Sequence, residues 1–217
     1  MIDFAAAREA MVDCQVRPSD VTRYPVIEAM LTVPREDYVP PALKAVAYLG
    51  EHISLGDGRV VLDPRVFSKM IDALNVGPVD LVLDVGCGLG YSSAVLARMA
   101  EAVIALEADE ALAGEAEALF AAQSVDNAMV QTGVLAAGVP IHGPFDAIMI
   151  EGAVEAVPEA LSDQLKPGGR IVAIFIEGRR GQARLGLKSE HGVAWRRLFD
   201  ATAPVLPGFE KTKAFEF

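Results

Sequence analysis

Leu81-Val82-Leu83-Asp84-Val85 is a short apolar run, and Gly86-Cys87-Gly88-Leu89-Gly90-Tyr91 follows it directly. A strand apolar on both faces, a glycine turn and a helix over residues 92–99 make the first unit of a layered α/β sheet. Three further apolar runs follow, at residues 103–107, 147–150 and 171–176. Helix-like sequence, such as residues 110–123 and 159–165, separates them. Buried strands alternating with helices predict a doubly wound, mostly parallel sheet covered on both sides. Residues 184–189 and 193–198 flank His191-Gly192 and predict a hairpin, which adds antiparallel strands at one edge.

Upstream, the first part of the chain to about Leu55 reads as helical. Residues 5–12 are rich in helix formers, and Arg17-Pro18-Ser19-Asp20 is a break with capping residues. Over residues 21–31, Val26, Ile27, Met30 and Leu31 share one helical face. Residues 42–49 give another short helix, and Gly56-Asp57-Gly58 marks a turn. Pro64 starts a helix over residues 65–74, with Val66, Met70 and Leu74 at apolar spacing. The expectation is one domain, residues 1–217, in which residues 1–75 form a helical cap on a Rossmann-like core at residues 76–217.

The composition bounds the function. Of the 217 residues, 52% are hydrophobic and 23% charged, which is globular rather than disordered. A net charge of -11 repels phosphate backbones and anionic lipid, so nucleic acid and membrane are excluded as partners. The N-terminal Met1-Ile2-Asp3-Phe4 stretch lacks the apolar core of a secretory signal. Only Cys14 and Cys87 occur, so no disulfide framework is expected and a reducing cytoplasm fits. Cys14 reads as a packed residue. His52, His142 and His191 are scattered, without metal-ligand spacing, so no metal is expected.

The glycine turn specifies the ligand class. A dinucleotide fingerprint places its third glycine where Tyr91 stands; here Gly90 comes one residue early. The pattern Asp84-x-Gly86-x-Gly88-x-Gly90 instead suits a sulfonium nucleotide without phosphates. Asp84 supplies an acceptor near the cationic amino-acid end, and the glycines make room for the methionine and ribose portions. Glu107 comes 21 residues after Gly86, at the end of the next strand, where an acid accepts both ribose hydroxyls. The cofactor expected is S-adenosylmethionine, held by Asp84, Gly86, Cys87, Gly88, Gly90, Tyr91, Glu107 and Ala108, with positions 134 and 151 in the same site.

Several blocks together resemble the protein-L-isoaspartate O-methyltransferase family almost end to end. They are Val33-Pro34-Arg35-Glu36-Asp37-Tyr38-Val39-Pro40, Ala47-Tyr48, Leu55-Gly56-Asp57-Gly58 and Pro64, then residues 84–91. Pro144-Phe145-Asp146-Ala147-Ile148 and Gln164-Leu165-Lys166-Pro167-Gly168-Gly169-Arg170 complete the set. The resemblance implies a doubly wound methyltransferase fold with N-terminal helices and extra C-terminal strands. It implies methylation of the stray carboxyl of isoaspartyl residues in damaged proteins. The ester then collapses to a succinimide, which reopens as normal aspartate.

Three positions depart from the family pattern. Leu62 stands in the slot of a serine whose hydroxyl is associated with methyl transfer, and leucine makes no hydrogen bond. Asp63 beside it is either a replacement polar group or the N-cap of the next helix. Val134 stands where the family has an aspartate reaching the adenine amino group. Glu151, at a strand end facing the crevice, adds a charge that repels a carboxylate acceptor. Two alternatives therefore stand beside isoaspartyl repair: a different methyl acceptor, small molecules included, or a cofactor-binding member without repair activity.

Overall fold

A computed structural model describes residues 2–211. The elements run in the order α1 (Phe4–Met11), α2 (Tyr24–Thr32), β1 (Ile53–Gly56), β2 (Arg59–Val61), α3 (Pro64–Leu74), β3 (Leu81–Val85) and α4 (Tyr91–Ala97). Then follow β4 (Ala102–Glu107), α5 (Glu110–Ala122), β5 (Ala128–Thr132), β6 (Phe145–Val154), α6 (Glu159–Ser162), β7 (Leu165–Glu177), β8 (Arg180–Ser189) and β9 (Gly192–Asp200). One seven-stranded sheet has the order β5-β4-β3-β6-β7-β8-β9. It is parallel from β5 to β7 and antiparallel beyond.

Alternate residues of the central strands feed two separate hydrophobic clusters, which is why the runs are apolar on both faces apart from Asp84 and Glu107. On one face Val82, Met149, Val172 and Ile174 pack with the N-terminal helices, α3 and α4. On the other, Leu83, Val85, Ile148, Ile171 and Ala173 pack with Leu161, Leu206 and Phe209. A fully buried side chain such as Phe67 of α3 contributes roughly 1.5–3 kcal/mol through the water it sheds.

Five sequence expectations change. The stretch up to Leu55 is not helical throughout: β1 and β2 form a hairpin whose two-residue loop, Asp57-Gly58, has positive φ at both positions (46° and 74°). That is the loop conformation matched to strand twist. β5 escaped the apolar-run criterion because it is an edge strand, and its residues 128–132 are at most half-buried. The helix expected over residues 159–165 is the four-residue α6, since Gln164 and Leu165 already lead into β7. Cys14 is exposed rather than packed. The helix expected over residues 42–49 is a 3₁₀ segment, Pro41–Val46.

Candidate active site

Strand order reverses between β3 and β6, and open α/β sheets bind ligands beyond the carboxyl ends of strands at that point. Gly86, Gly88 and Gly90 all take positive φ there (81°, 57° and 91°). The turn brings backbone close to its neighbours: a Cβ at Gly90 would lie 2.5 Å from Phe120 Cε1 of α5. β6 leaves the register of β7 between Met149 and Ala153, which delivers Glu151 to the same edge.

Three buried carboxylates and two buried arginines occupy this edge. Asp84 accepts from the Ser92 and Ser93 hydroxyls at 2.6 and 2.5 Å, while its Oδ1 has no partner. Burial pushes its pKa up to about 6, against the two serine hydrogen bonds. Glu151 has no hydrogen-bond partner on Oε1. Burial, then the Asp84 charge, holds its carboxyl well above the usual range. Arg35 donates from Nε to the Ala47 carbonyl (2.7 Å) and from Nη2 to the Leu62 carbonyl (2.8 Å). Its guanidinium carbon lies 4.8 Å from the centre of the Tyr91 ring.

Glu107 is the most heavily committed group. Arg59 clamps it with both terminal nitrogens, Nη1 to Oε1 at 3.0 Å and Nη2 to Oε2 at 2.7 Å. The backbone N–H groups of Gly88 (2.7 Å), Ala108 (2.8 Å) and Asp109 (3.2 Å) donate to the same carboxylate. Glu107 is 0% exposed and Arg59 5%. Arg59 points inward because it follows the two-residue turn on the buried face of β2.

The other expected site residues separate into two groups. Asp84, Gly86, Cys87, Gly88, Gly90, Glu107, Ala108 and Glu151 converge on the crevice. Cys87 is buried, and desolvation with the Asp84 charge pushes its thiol well up, so it is no reactive thiolate. Tyr91 directs its ring toward Phe67, Tyr38 and Arg35. Val134 is 67% exposed. Leu62 is 1% exposed. Asp63 Oδ1 accepts from Val66 N at 2.9 Å and so caps α3. His52 bridges Asp63 N (2.9 Å) and the Thr202 carbonyl (2.7 Å), which commits both ring nitrogens.

The fit for an adenosylated sulfonium is split. The unpartnered oxygens of Asp84 and Glu151 suit a cationic ligand. The ribose acceptor does not fit as it stands, because Glu107 is fully engaged. The glycine face is also covered: a Cβ at Gly86 would lie 3.1 Å from both Arg59 Nη2 and Leu206 Cδ1, and one at Gly88 2.5 Å from Leu55 Cδ1. In this conformation Arg59 and Leu206 lie over Gly86, and Leu55 lies over Gly88.

Comparison with known proteins places this geometry in a family. The family model described as protein-L-isoaspartate(D-aspartate) O-methyltransferase matches residues 6–194. The chain belongs to that family. It is 39% identical over 189 residues to the protein-L-isoaspartate O-methyltransferase of Roseiflexus sp. (strain RS-1), covering 87% of this chain and 86% of that one. It is 42% identical over 170 residues to the enzyme of that name from Methylorubrum extorquens (strain PA1), covering 78% and 74%. Among solved structures, a protein-L-isoaspartate O-methyltransferase superposes with a TM-score of 0.81 at 22% identity, covering 93% of this chain and 66% of that one. A Plasmodium falciparum protein described as a putative member, in complex with S-adenosyl-L-homocysteine, gives 0.78 at 21% identity, covering 95% and 99%. At those identities the superpositions speak for the doubly wound fold alone. Protein-L-isoaspartate O-methyltransferases use S-adenosylmethionine.

Sequence reasoning missed Arg59, Leu206, Ser92 and Ser93, and gave Arg35 no role. A charged residue one step past an Asp-Gly turn, on the face shared with Val61, was the signal for Arg59. Among the described residues, no helix is long and apolar enough to cross a membrane.

Proposed function

We propose that this chain catalyses the transfer for which its family is named: a methyl group passes from S-adenosylmethionine to the free carboxyl of an isoaspartyl residue. Membership of the family over residues 6–194, at about 40% identity to its named members, carries this reading. The site supports it in one chemical respect. A carboxylate acceptor is ionised near neutral pH, its reference pKa being about 4. It needs no base, and both nitrogens of His52 are already bonded. Placement and exclusion of water are what such a transfer requires.

The donor site we assign to Asp84, Gly86, Cys87, Gly88, Gly90, Tyr91, Glu107, Ala108 and Glu151, with Val134 at its outer edge and Leu62 and Asp63 on the acceptor side. A cavity of about 570 Å³ opens beside Asp63 and is lined in part by His52, Arg65, Arg180 and Arg197. Its three arginines suit an acidic acceptor such as an isoaspartyl peptide. Residues 2–75 act with residues 76–211 as one unit, a reading supported by an apolar cluster that takes side chains from Met11 to Ala201. Two free cysteines suit work in the cytoplasm. The test is methyl incorporation into an isoaspartyl peptide against its aspartyl twin.

Two observations favour a second reading, a member whose repair activity has gone. Leu62 is buried and apolar where the family carries its serine, and Glu151 adds a carboxyl to the same edge. Donor binding without turnover on any isoaspartyl peptide would select it.

A further inference from the structure

Glu107 has no capacity left for a ribose. A carboxylate offers about four lone-pair sites. Five donors already approach this one: Arg59 Nη1, Ala108 N and Asp109 N on Oε1, with Arg59 Nη2 and Gly88 N on Oε2. Three of the five are backbone groups fixed by the glycine turn and by the entry to α5. Only the two arginine nitrogens sit on a side chain that can withdraw. A ribose diol and Arg59 thus compete for the same oxygens.

The apolar side of the crevice is closed as well. Leu206 N donates to the Ala153 carbonyl at 2.9 Å, and Ala153 N to the Pro204 carbonyl at 2.9 Å. This tie to β6 lays the 1%-exposed Leu206 side chain over two glycines. A Cβ at Gly152 would lie 2.6 Å from its Cγ, and one at Gly86 3.1 Å from its Cδ1. Arg59 Nη2 lies 3.1 Å from the same Gly86 position, so cation and leucine meet over the loop. The positive charge matters too. Asp84, Glu107 and Glu151 are buried together, and Arg59 is the one cation bonded to any of them among the described residues.

We infer that this chain carries its own occupant in the donor crevice. Arg59 stands in for the ribose hydroxyls on Glu107, Leu206 covers the glycine face, and the nucleoside enters only after both withdraw. The inference rests on the methyltransferase reading and names the control on that same site. Apparent affinity falls by the fraction of time the crevice is open, so removing the occupant strengthens binding.

Calorimetric titration of the full chain, Arg59→Gln and Leu206→Ala with S-adenosylhomocysteine tests this, with circular dichroism as a check on folding. Glutamine is too short to clamp both oxygens, and Leu206→Ala clears the glycines without disturbing any carboxylate, so it serves if the first variant does not fold. The expected result is product binding at least about tenfold tighter in Arg59→Gln than in the parent, with a gain in the same direction for Leu206→Ala. A parent chain that binds as tightly as both variants, and methylates an isoaspartyl peptide, overturns the internal occupant and leaves the activity standing. Folded proteins that all fail to bind overturn the occupant and the donor assignment together.

Discussion

Replacing Arg35 with leucine removes a buried fork that holds two separate loops. Its Nε and Nη2 donate to the carbonyls of Ala47 and Leu62 at 2.7 and 2.8 Å, and its guanidinium lies over the Tyr91 ring at 4.8 Å. A hydrogen bond to a charged group contributes about 1.5–3 kcal/mol, and a desolvated cation over an aromatic ring about 2 kcal/mol. Part of the sum is returned, because leucine carries no charge that burial strips of water. The net loss expected is about 3 kcal/mol, a large share of a typical domain's stability. For a chain of this size that lowers the melting temperature by roughly 6–12 °C. Urea denaturation provides the assay: the midpoint falls while the slope stays constant, because the surface exposed on unfolding is unchanged. Arg35→Lys separates fork from charge. Lysine keeps the positive charge beside Glu151 but reaches one carbonyl at best, so it recovers only about half of the loss. A leucine variant within about 0.5 kcal/mol of the parent would refute the reasoning, since that is the range of ordinary surface changes.

Three further outcomes follow from the same edge of the sheet. Glu151→Gln gains stability over the parent as pH rises above about 4, where the unfolded carboxyl ionises. The folded carboxyl is held well up by burial, so the native state keeps a proton the unfolded state has released, and parent stability falls with rising pH. Asp84, pushed up to about 6, acts in the same direction between about pH 4 and 6; urea midpoints across pH check both, and a constant parent–variant difference would contradict the assignment. Asp63→Ala loses the cap on Val66 N and about 1 kcal/mol, read by thermal melting, while an unchanged melt would deny the cap its role. Leu62→Ser costs about 2–4 kcal/mol of stability at this buried position but raises kcat/KM on an isoaspartyl peptide; unchanged kcat/KM in a folded variant would remove the hydroxyl from the account.

How much of this could be read from the chain depends on the range of each interaction. The central strands were legible because both faces are buried, which makes 171–176 apolar at every position and 81–85 at every position but Asp84. The glycine turn and Glu107 were legible because spacing along one βα unit fixes both. β5 was not, since an edge strand with one open side carries Met129, Gln131 and Thr132 without penalty. The β1–β2 hairpin was marked only by its turn, because strands of four and three residues show too few alternations to register. Arg59 and Glu107 meet across 48 positions and Leu206 lies farther still from Gly86, and no local periodicity encodes such pairs. The glycine turn was marked in the sequence, whereas the approach of Arg59 and Leu206 to Gly86 exists only once the hairpin and the segment around Leu206 are folded onto it.

Radiolabelled methyl transfer from millimolar S-adenosylmethionine to an isoaspartyl peptide and its aspartyl twin addresses the proposed activity directly. The folded chain is expected to form a base-labile methyl ester on the isoaspartyl peptide and none on the twin. Equal labelling of the two peptides, or none on either at saturating donor, would contradict assignment of this chain as an isoaspartyl carboxyl methyltransferase.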